Sequence, residues 1–222
     1  MIVGEQKPLA EIKNIVAPYS KILILGCGTC VKTCFAGGED EVATLASALR
    51  LSMKKDGREI KIDELTVERQ CEDEFLRQAA SNISGSEAVL SLACGAGVQM
   101  VADRFKKTPA LPGVNTTFIG ILEKQGLFTE KCLGCGDCVL DRFAGICPVT
   151  CCSKKLLNGP CGGSQNGKCE VNSDIECAWQ NIIDRYKALG QMDRLTAYYP
   201  ARDWRNSSAG GLRKLVREDH VI

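Results

Sequence analysis

The first half of the chain alternates short apolar runs with amphipathic stretches. Residues 21–26 (KILILG) form a continuous apolar run of strand length, 59–67 alternate apolar and polar positions, and 87–94 form a further buried run. Between them, 39–57 and 72–83 open with acidic residues and carry apolar positions at helical spacing, which predicts helices. This βαβαβ order predicts an α/β fold with a Rossmann-like parallel sheet and right-handed crossovers.

Residues 116–122 (TTFIGIL) are predicted to add a further strand to this sheet. Cys27, Cys71 and Cys94 each follow one of the other predicted strands closely. Open parallel sheets bind ligands beyond the carboxyl ends of their strands. The sequence therefore predicts a metal site at this edge of the sheet.

After about residue 125 glycine and cysteine become dense and the apolar periodicity fades. We therefore predict two domains, a Rossmann-like α/β domain over 1–125 and a cysteine-rich iron–sulfur domain over 126–222. Residues 131–169 are expected to form a ferredoxin-like region held together largely by metal. A helix is predicted from residue 174 onwards, followed by an irregular tail whose aromatic and arginine residues suit docking to a partner.

Cysteine is the compositional outlier, at 14 of 222 residues. We expect no secretory signal and no membrane span, which favours metal ligands in a reducing, cytoplasmic compartment over disulfides. The net charge of +1 and the 5% aromatic content argue against nucleic-acid binding. His220 is the single histidine, so thiolates must supply nearly all ligands, and all-thiolate sites select zinc or iron–sulfur clusters.

The most specific motif is Cys132-x2-Cys135-x2-Cys138, followed by Cys147 and a proline. A thiolate at every third residue lets a short loop wrap a [4Fe–4S] cluster. Eight residues separate Cys138 from Cys147, so the motif departs from the three-residue spacing of bacterial ferredoxins. A zinc ribbon is the alternative, although such ribbons show paired C-x2-C knuckles. Whether Cys147 completes this cluster or a second one stays open at this point.

The remaining cysteines form two further groups. The thiols after Cys147 suffice for a second tetrathiolate site, and the candidate ligands there are Cys151, Cys161, Cys169 and Cys177. The side chains of the adjacent Cys151 and Cys152 diverge, so either one of them, expected to be Cys152, is a spare, or each serves a different cluster. Near the N-terminus, the candidate ligands are Cys27, Cys30 and Cys34, with Cys71 or Cys94 as the fourth. Zinc and a thioredoxin-like redox pair are alternatives at this N-terminal group. Without an interior histidine we predict no catalytic residues.

Three stretches of the C-terminal half carry a family resemblance: residues 147–192, which contain LLNGPCGG, GKCEV and CAW, then RDW at 202–204 and GGLRK at 210–214. Together they resemble the cysteine-rich C-terminal region of methylenetetrahydrofolate reductases. With its N-terminal C-x2-C-x3-C motif, the whole chain resembles the iron–sulfur subunits of the acetogen-type enzyme. The resemblance is specific over the C-terminal string and rests mainly on cysteine placement over 1–125.

This resemblance implies an electron-transfer subunit with two or three [4Fe–4S] clusters, or two clusters and one zinc. Its partner would be a MetF-like flavoprotein that holds FMN or FAD and reduces methylenetetrahydrofolate in the Wood–Ljungdahl pathway. Ferredoxin or an NADH-dependent flavoprotein is the expected electron donor. By the family pattern Cys132, Cys135 and Cys138 are cluster ligands. The alternatives are a structural zinc scaffold and a stand-alone ferredoxin-like carrier.

Overall fold

A parallel sheet organises the first part of the chain in the computed structural model, which describes residues 1–220. Its strands are β2 (Lys21–Cys27), β3 (Lys61–Val67), β4 (Ala88–Ser91) and β5 (Ala110–Pro112), in the order β3-β2-β4-β5. All of their pairings are parallel. The predicted α/β class and parallel sheet are therefore confirmed.

The predicted position of residues 116–122 in this sheet is wrong. They lie in β6 (Val114–Lys124), which pairs antiparallel with β1 (Ile2–Gln6) in a separate sheet of order β1-β6-β7, where β7 is Leu127–Cys132. Most of β6 is exposed or half-buried, which suits a strand with a solvated face rather than one covered on both sides in a parallel sheet. The fourth parallel strand is instead the short β5.

Helices cover both faces of the parallel sheet. Their bounds are α1 Leu9–Val16, α2 Cys30–Thr33, α3 Glu39–Lys55, α4 Asp73–Arg77, α5 Ala80–Ser84 and α6 Gly95–Arg104. The helix predicted over 39–57 is α3. The one predicted over 72–83 is divided into α4 and α5, because the Gln78 and Ala79 amides bond three residues back and tighten the turn there.

The side chains of β2 alternate between two apolar cores. Ile22 and Ile24 pack with residues of α1 and α3 on one face. Leu23 and Leu25 pack with residues of α4, α5 and α6 on the other. This double coverage explains why β2 is a continuous apolar run in the sequence.

The chain divides into two compact units, Met1–Phe128 and a second unit that begins at Thr129. In the second unit α7 spans Pro148–Cys151 and α8 spans Ala178–Leu189. Short 3₁₀ helices lie at Leu140–Arg142, Met192–Thr196, Trp204–Asn206, Ser208–Gly210 and Glu218–His220. The helix predicted from residue 174 is therefore confirmed as α8, and it ends where Gly190 adopts φ +66°.

The second unit has its own apolar core. We call the buried residues Val139, Phe143, Cys177, Trp179, Ile182 and Tyr186 the second-unit core. The Phe143 and Trp179 rings meet edge to face with centroids 5.7 Å apart. Val139 and Phe143 come from the cysteine-rich segment, so apolar packing anchors this segment.

Candidate metal centres

Four thiols line one cavity in the second unit. Cys132 ends β7, Cys135 and Cys138 lie in the loop that follows, and Cys147 comes directly before α7. The cavity that these residues line has a volume of about 220 Å³, and we call it the four-thiol cavity. The structure thus brings Cys147 to the Cys132–Cys138 motif, across the eight intervening residues.

One backbone amide of the loop around this cavity donates to sulfur. The Gly134 amide donates to Cys132 Sγ at 3.3 Å. Gly134 and Gly136 have φ +61° and +85°, angles that glycine adopts without a steric penalty. Amide donors around cysteine sulfurs are a feature of iron–sulfur sites, where they tune the metal centre.

Arg202 closes the cavity from the C-terminal tail, which we define as residues 197–219. Its side chain is only 4% exposed. Nη2 donates to Cys135 Sγ at 3.0 Å and also to the Asp137 carbonyl oxygen. Its Nε and Nη1 atoms are buried without a hydrogen-bond partner. Leaving a buried donor unpaired costs about 1–3 kcal/mol, so this arrangement leaves room for an acceptor inside the cavity.

These residues fit an iron–sulfur cluster. Four thiols line a common space instead of a single point, and Arg202, whose Nε and Nη1 donors are buried without a partner, lines the same space. Within residues 1–219, no three or more His, Cys, Asp or Glu side chains converge on a single ion position. The four thiols therefore line the cavity but do not form the coordination geometry of a single metal ion.

The adjacent thiols Cys151 and Cys152 point into different surroundings. Burial raises the pKa of Cys151, and the neighbouring Cys147 raises it further, whereas Lys131 opposes the shift. Cys152 instead packs against the second-unit core. That only one of the two binds metal stays a prediction.

The other three thiols of this unit have three different settings. Cys161 is exposed. Cys169 Sγ lies 3.5 Å from Ser153 Oγ, and this hydrogen bond, followed by backbone amides, lowers the pKa of Cys169. Cys177 is 9% exposed within the second-unit core and directly precedes α8. A second tetrathiolate site over these residues stays a prediction.

In the first unit three thiols lie along the carboxyl edge of the parallel sheet. Cys27 is the last residue of β2, and Cys71 and Cys94 follow β3 and β4. Burial raises the pKa of Cys71 most, and the neighbouring Cys27 and Cys94 thiolates raise it further. The Cys71 thiol therefore interacts with both Cys27 and Cys94 at the edge where the strand pattern placed these residues.

Gln70 and Ser91 fix this edge. The fully buried Gln70 side chain donates to the carbonyl oxygens of Leu25 and Gly26, at 2.7 and 3.1 Å. Its own carbonyl accepts from the Ser91 hydroxyl at 2.7 Å. The loop that carries Cys71 is therefore tied to the ends of both β2 and β4. Sequence reasoning missed this pair, although a glutamine directly before a candidate ligand was the available signal.

Cys30 and Cys34 lie at the two ends of the short helix α2. The Cys34 thiol faces the carbonyl oxygen of Ile2 at 3.6 Å. Burial raises the pKa of Cys34, the Gly4 backbone lowers it, and the Cys30 thiolate raises it. These interactions link Cys34 with Cys30, and they link Cys71 with both Cys27 and Cys94. The choice of the fourth ligand therefore stays open.

Within residues 1–220, no helix has both the length and the apolar character needed to cross a bilayer. Residues 111–205 match the model of the family described as Methylene-tetrahydrofolate reductase C terminal. The match covers less than half of the chain and includes every thiol of the second unit. No curated protein and no solved structure matches the chain significantly. These findings support the family for residues 111–205, which contain the four-thiol cavity.

Proposed function

We propose that this chain is the iron–sulfur electron-transfer subunit, of the MetV kind, of a methylenetetrahydrofolate reductase complex. The observation that carries the proposal is the four-thiol cavity, which lies within the residues that match the reductase family. An all-thiolate donor set around a cavity of this size suits an iron–sulfur cluster.

Cys132, Cys135, Cys138 and Cys147 would hold this cluster. A bound [4Fe–4S] cluster supplies one-electron transfer, and a flavin in a partner subunit can collect two electrons for hydride transfer. The Gly134 amide and the Arg202 guanidinium stabilise negative charge on the thiolates from the protein side. Cys132 and Cys138 are exposed, so this edge of the cavity is open to an electron partner.

The partner in this proposal is a MetF-like flavoprotein with FMN or FAD. In the C-terminal tail, Tyr198 is 78% exposed and Trp204 is 41% exposed. Exposed aromatic side chains beside arginines are enriched at protein interfaces, which supports docking through this tail. A ferredoxin or an NADH-dependent flavoprotein would supply the electrons, and the complex would act in one-carbon metabolism.

The thiols at the sheet edge of the first unit form a second metal centre in this proposal. Its candidate ligands are Cys27, Cys30 and Cys34, with Cys71 or Cys94 as the fourth. Burial and, after it, the neighbouring thiolates raise the pKa of Cys71, and a bound cation would oppose this shift because it favours the thiolate form. Zinc and a [4Fe–4S] cluster both suit four thiolates.

The first test is to purify the full chain anaerobically and to determine its iron, zinc and acid-labile sulfide. The second is to reduce the chain with dithionite and to measure electron transfer to the flavin of a co-expressed MetF-like protein. We expect a brown protein that reduces the flavin and co-purifies with it stoichiometrically. Cys135→Ala should lose one cluster and the flavin reduction, whereas the matched Cys152→Ala variant should keep both. A colourless chain with zinc alone would refute the proposal, and many weak partners would favour a stand-alone carrier.

A further inference from the structure

Arg202 places a buried positive charge at the wall of the four-thiol cavity. We propose that Arg202 sets the reduction potential of the cluster in this cavity by donating its N–H groups to sulfur. Arg202 is thus a tuning residue rather than a metal ligand. This inference rests on the proposed function, since it requires that the four thiols hold an iron–sulfur cluster.

The first argument is the state of the guanidinium. One nitrogen, Nη2, already donates to Cys135 Sγ at 3.0 Å. The Nε and Nη1 donors are buried and have no partner, on a side chain that is 96% buried. A buried charged group normally has its donors satisfied, and Arg202 lines the four-thiol cavity, so an acceptor bound in that cavity would complete its hydrogen bonds. Thiolate and sulfide sulfur are the acceptors that a cluster supplies there.

The second argument is that little compensates this charge. The nearest carboxylate oxygen that pairs with it, Asp137 Oδ2, is 3.8 Å away, and the Asp137 side chain is 57% exposed. Solvent therefore weakens that ion pair. The other neighbour is the Trp204 ring, whose centroid is 5.3 Å from the guanidinium carbon and which carries no net charge. These two neighbours therefore compensate the Arg202 charge only weakly.

The third argument is that the tail is held against the cluster-binding loop. Arg213 donates to the Gly134 carbonyl at 3.0 Å and to the Asn206 carbonyl at 2.8 Å. A Cβ atom on Gly136 would overlap the Asn206 carbonyl oxygen, so the two backbones touch at that glycine. These contacts fix the segment that delivers Arg202, which makes its position a built feature of the second unit.

The direction of the effect follows from charge. Reduction by one electron adds one negative charge to the cluster and its thiolates. A nearby cation and additional N–H donors stabilise the reduced form more than the oxidised form, so they raise the potential. Removal of the guanidinium should therefore make the cluster harder to reduce.

The experiment is a redox titration of the anaerobically purified full chain, with dithionite as the electron donor, redox mediators and detection by electron paramagnetic resonance. The relevant signal is identified as the one that Cys135→Ala abolishes. The test variants are Arg202→Gln, which removes the charge, and Arg202→Lys, which keeps the charge but loses the planar fork. The matched control is Arg205→Gln, because the Arg205 side chain is 88% exposed and bonds to Asp203.

We expect a more negative midpoint potential for Arg202→Gln, an intermediate one for Arg202→Lys, and the wild-type value for Arg205→Gln. Unchanged potentials in both iron-loaded Arg202 variants would overturn the inference. If the Arg202→Gln variant does not load iron, the midpoint potential of Arg202→Lys alone decides whether Arg202 tunes the cluster. Loss of iron from both variants would overturn the inference, because Arg202 would then be a structural residue. A wild-type chain without iron would refute the proposed function. That result is distinguishable from a failure of the Arg202 inference, in which the chain binds iron but the potentials do not change.

Discussion

The Ser91 hydroxyl donates to the side-chain carbonyl of Gln70 at 2.7 Å, and this bond joins the end of β4 to the loop after β3. The same hydroxyl accepts from the Ala93 amide at 3.3 Å, one residue before Cys94. Gln70 in turn directly precedes Cys71 and bonds to the end of β2, which carries Cys27. One buried polar pair therefore aligns the three chain segments that carry these thiols.

Ser91→Ala tests this alignment. The substitution leaves the Gln70 carbonyl and the Ala93 amide without their partner, so we expect the free energy of unfolding to fall by about 1–3 kcal/mol. The amount of metal bound by the first unit should fall as well, while the paramagnetic resonance signal of the cluster in the four-thiol cavity should persist. Denaturant unfolding and metal analysis measure the two effects. The exposed Ser81→Ala is the control, and equal results for both variants would contradict the role of the pair.

Cys147→Ala tests how the four-thiol cavity is completed. Because Cys147 lines this cavity beside Cys132, Cys135 and Cys138, its removal should eliminate the same cluster signal that Cys135→Ala eliminates. Cys152→Ala is the matched control, since Cys152 packs against the second-unit core. Iron analysis and paramagnetic resonance report the outcome. Retention of the full signal in Cys147→Ala would mean that another thiol completes the site.

Gly136→Ala tests the attachment of the C-terminal tail. Gly136 has φ +85°, and its Cβ would overlap the Asn206 carbonyl oxygen. Gly126→Ala is the control, because Gly126 has φ +82° but open space around its Cβ. Both variants should lose about 1–2 kcal/mol of stability from the left-handed backbone angle. Gly136→Ala should lose more and should expose the tail to trypsin, whereas equal losses and equal cleavage would refute the contact.

The stability of the metal-free, reduced chain should depend on pH in the alkaline range. Burial and neighbouring thiolates raise the pKa of Cys71, so the folded chain keeps a proton that the unfolded chain releases above about pH 8.5. Stability is therefore full below that pH and falls as the pH rises through the raised pKa. Denaturant midpoints in chelator and reductant measure the fall. Cys71→Ala should reduce it and Cys152→Ala should not; the same fall in both variants would exclude Cys71 as a cause.

Phe143→Ala tests whether the second unit has a core independent of metal. The ring is 1% exposed and packs against Trp179, so its loss should cost about 3–5 kcal/mol in the metal-free chain. Leu189→Ala is the control, because Leu189 is 52% exposed on α8. Chemical denaturation followed by Trp179 fluorescence reports the difference. An unaffected metal-free chain would mean that metal alone holds this unit.

The fold was predictable where one segment carried its own periodicity. The apolar run of β2, the amphipathic helix α3 and the periodic helix α8 lie close to their predicted bounds. The position of β6 was not predictable, because an apolar stretch such as 116–122 is compatible with either kind of sheet. Its pairing depends on β1, and the two strands are more than a hundred residues apart in the chain.

The candidate site was predictable in its thiols and not in what surrounds them. The cysteine spacing indicated a metal site at Cys132–Cys138 because local spacing limits the geometry of a short loop. Arg202 was invisible to this reasoning, since an arginine in a polar tail is ordinarily a solvated charge. Its burial against Cys135 arises only when the tail folds back over the loop.

The sequence by itself determined the thiol-rich chemistry, the α/β class and the shortage of other metal ligands, because these follow from residue type and local period. Only the tertiary structure decided that Cys147 joins the four-thiol cavity and that Arg202 faces it. It also decided that Gln70 and Ser91 align the thiols at the sheet edge. The physical reason is that these relationships join residues distant in the chain, and no local pattern encodes which distant groups burial will bring together.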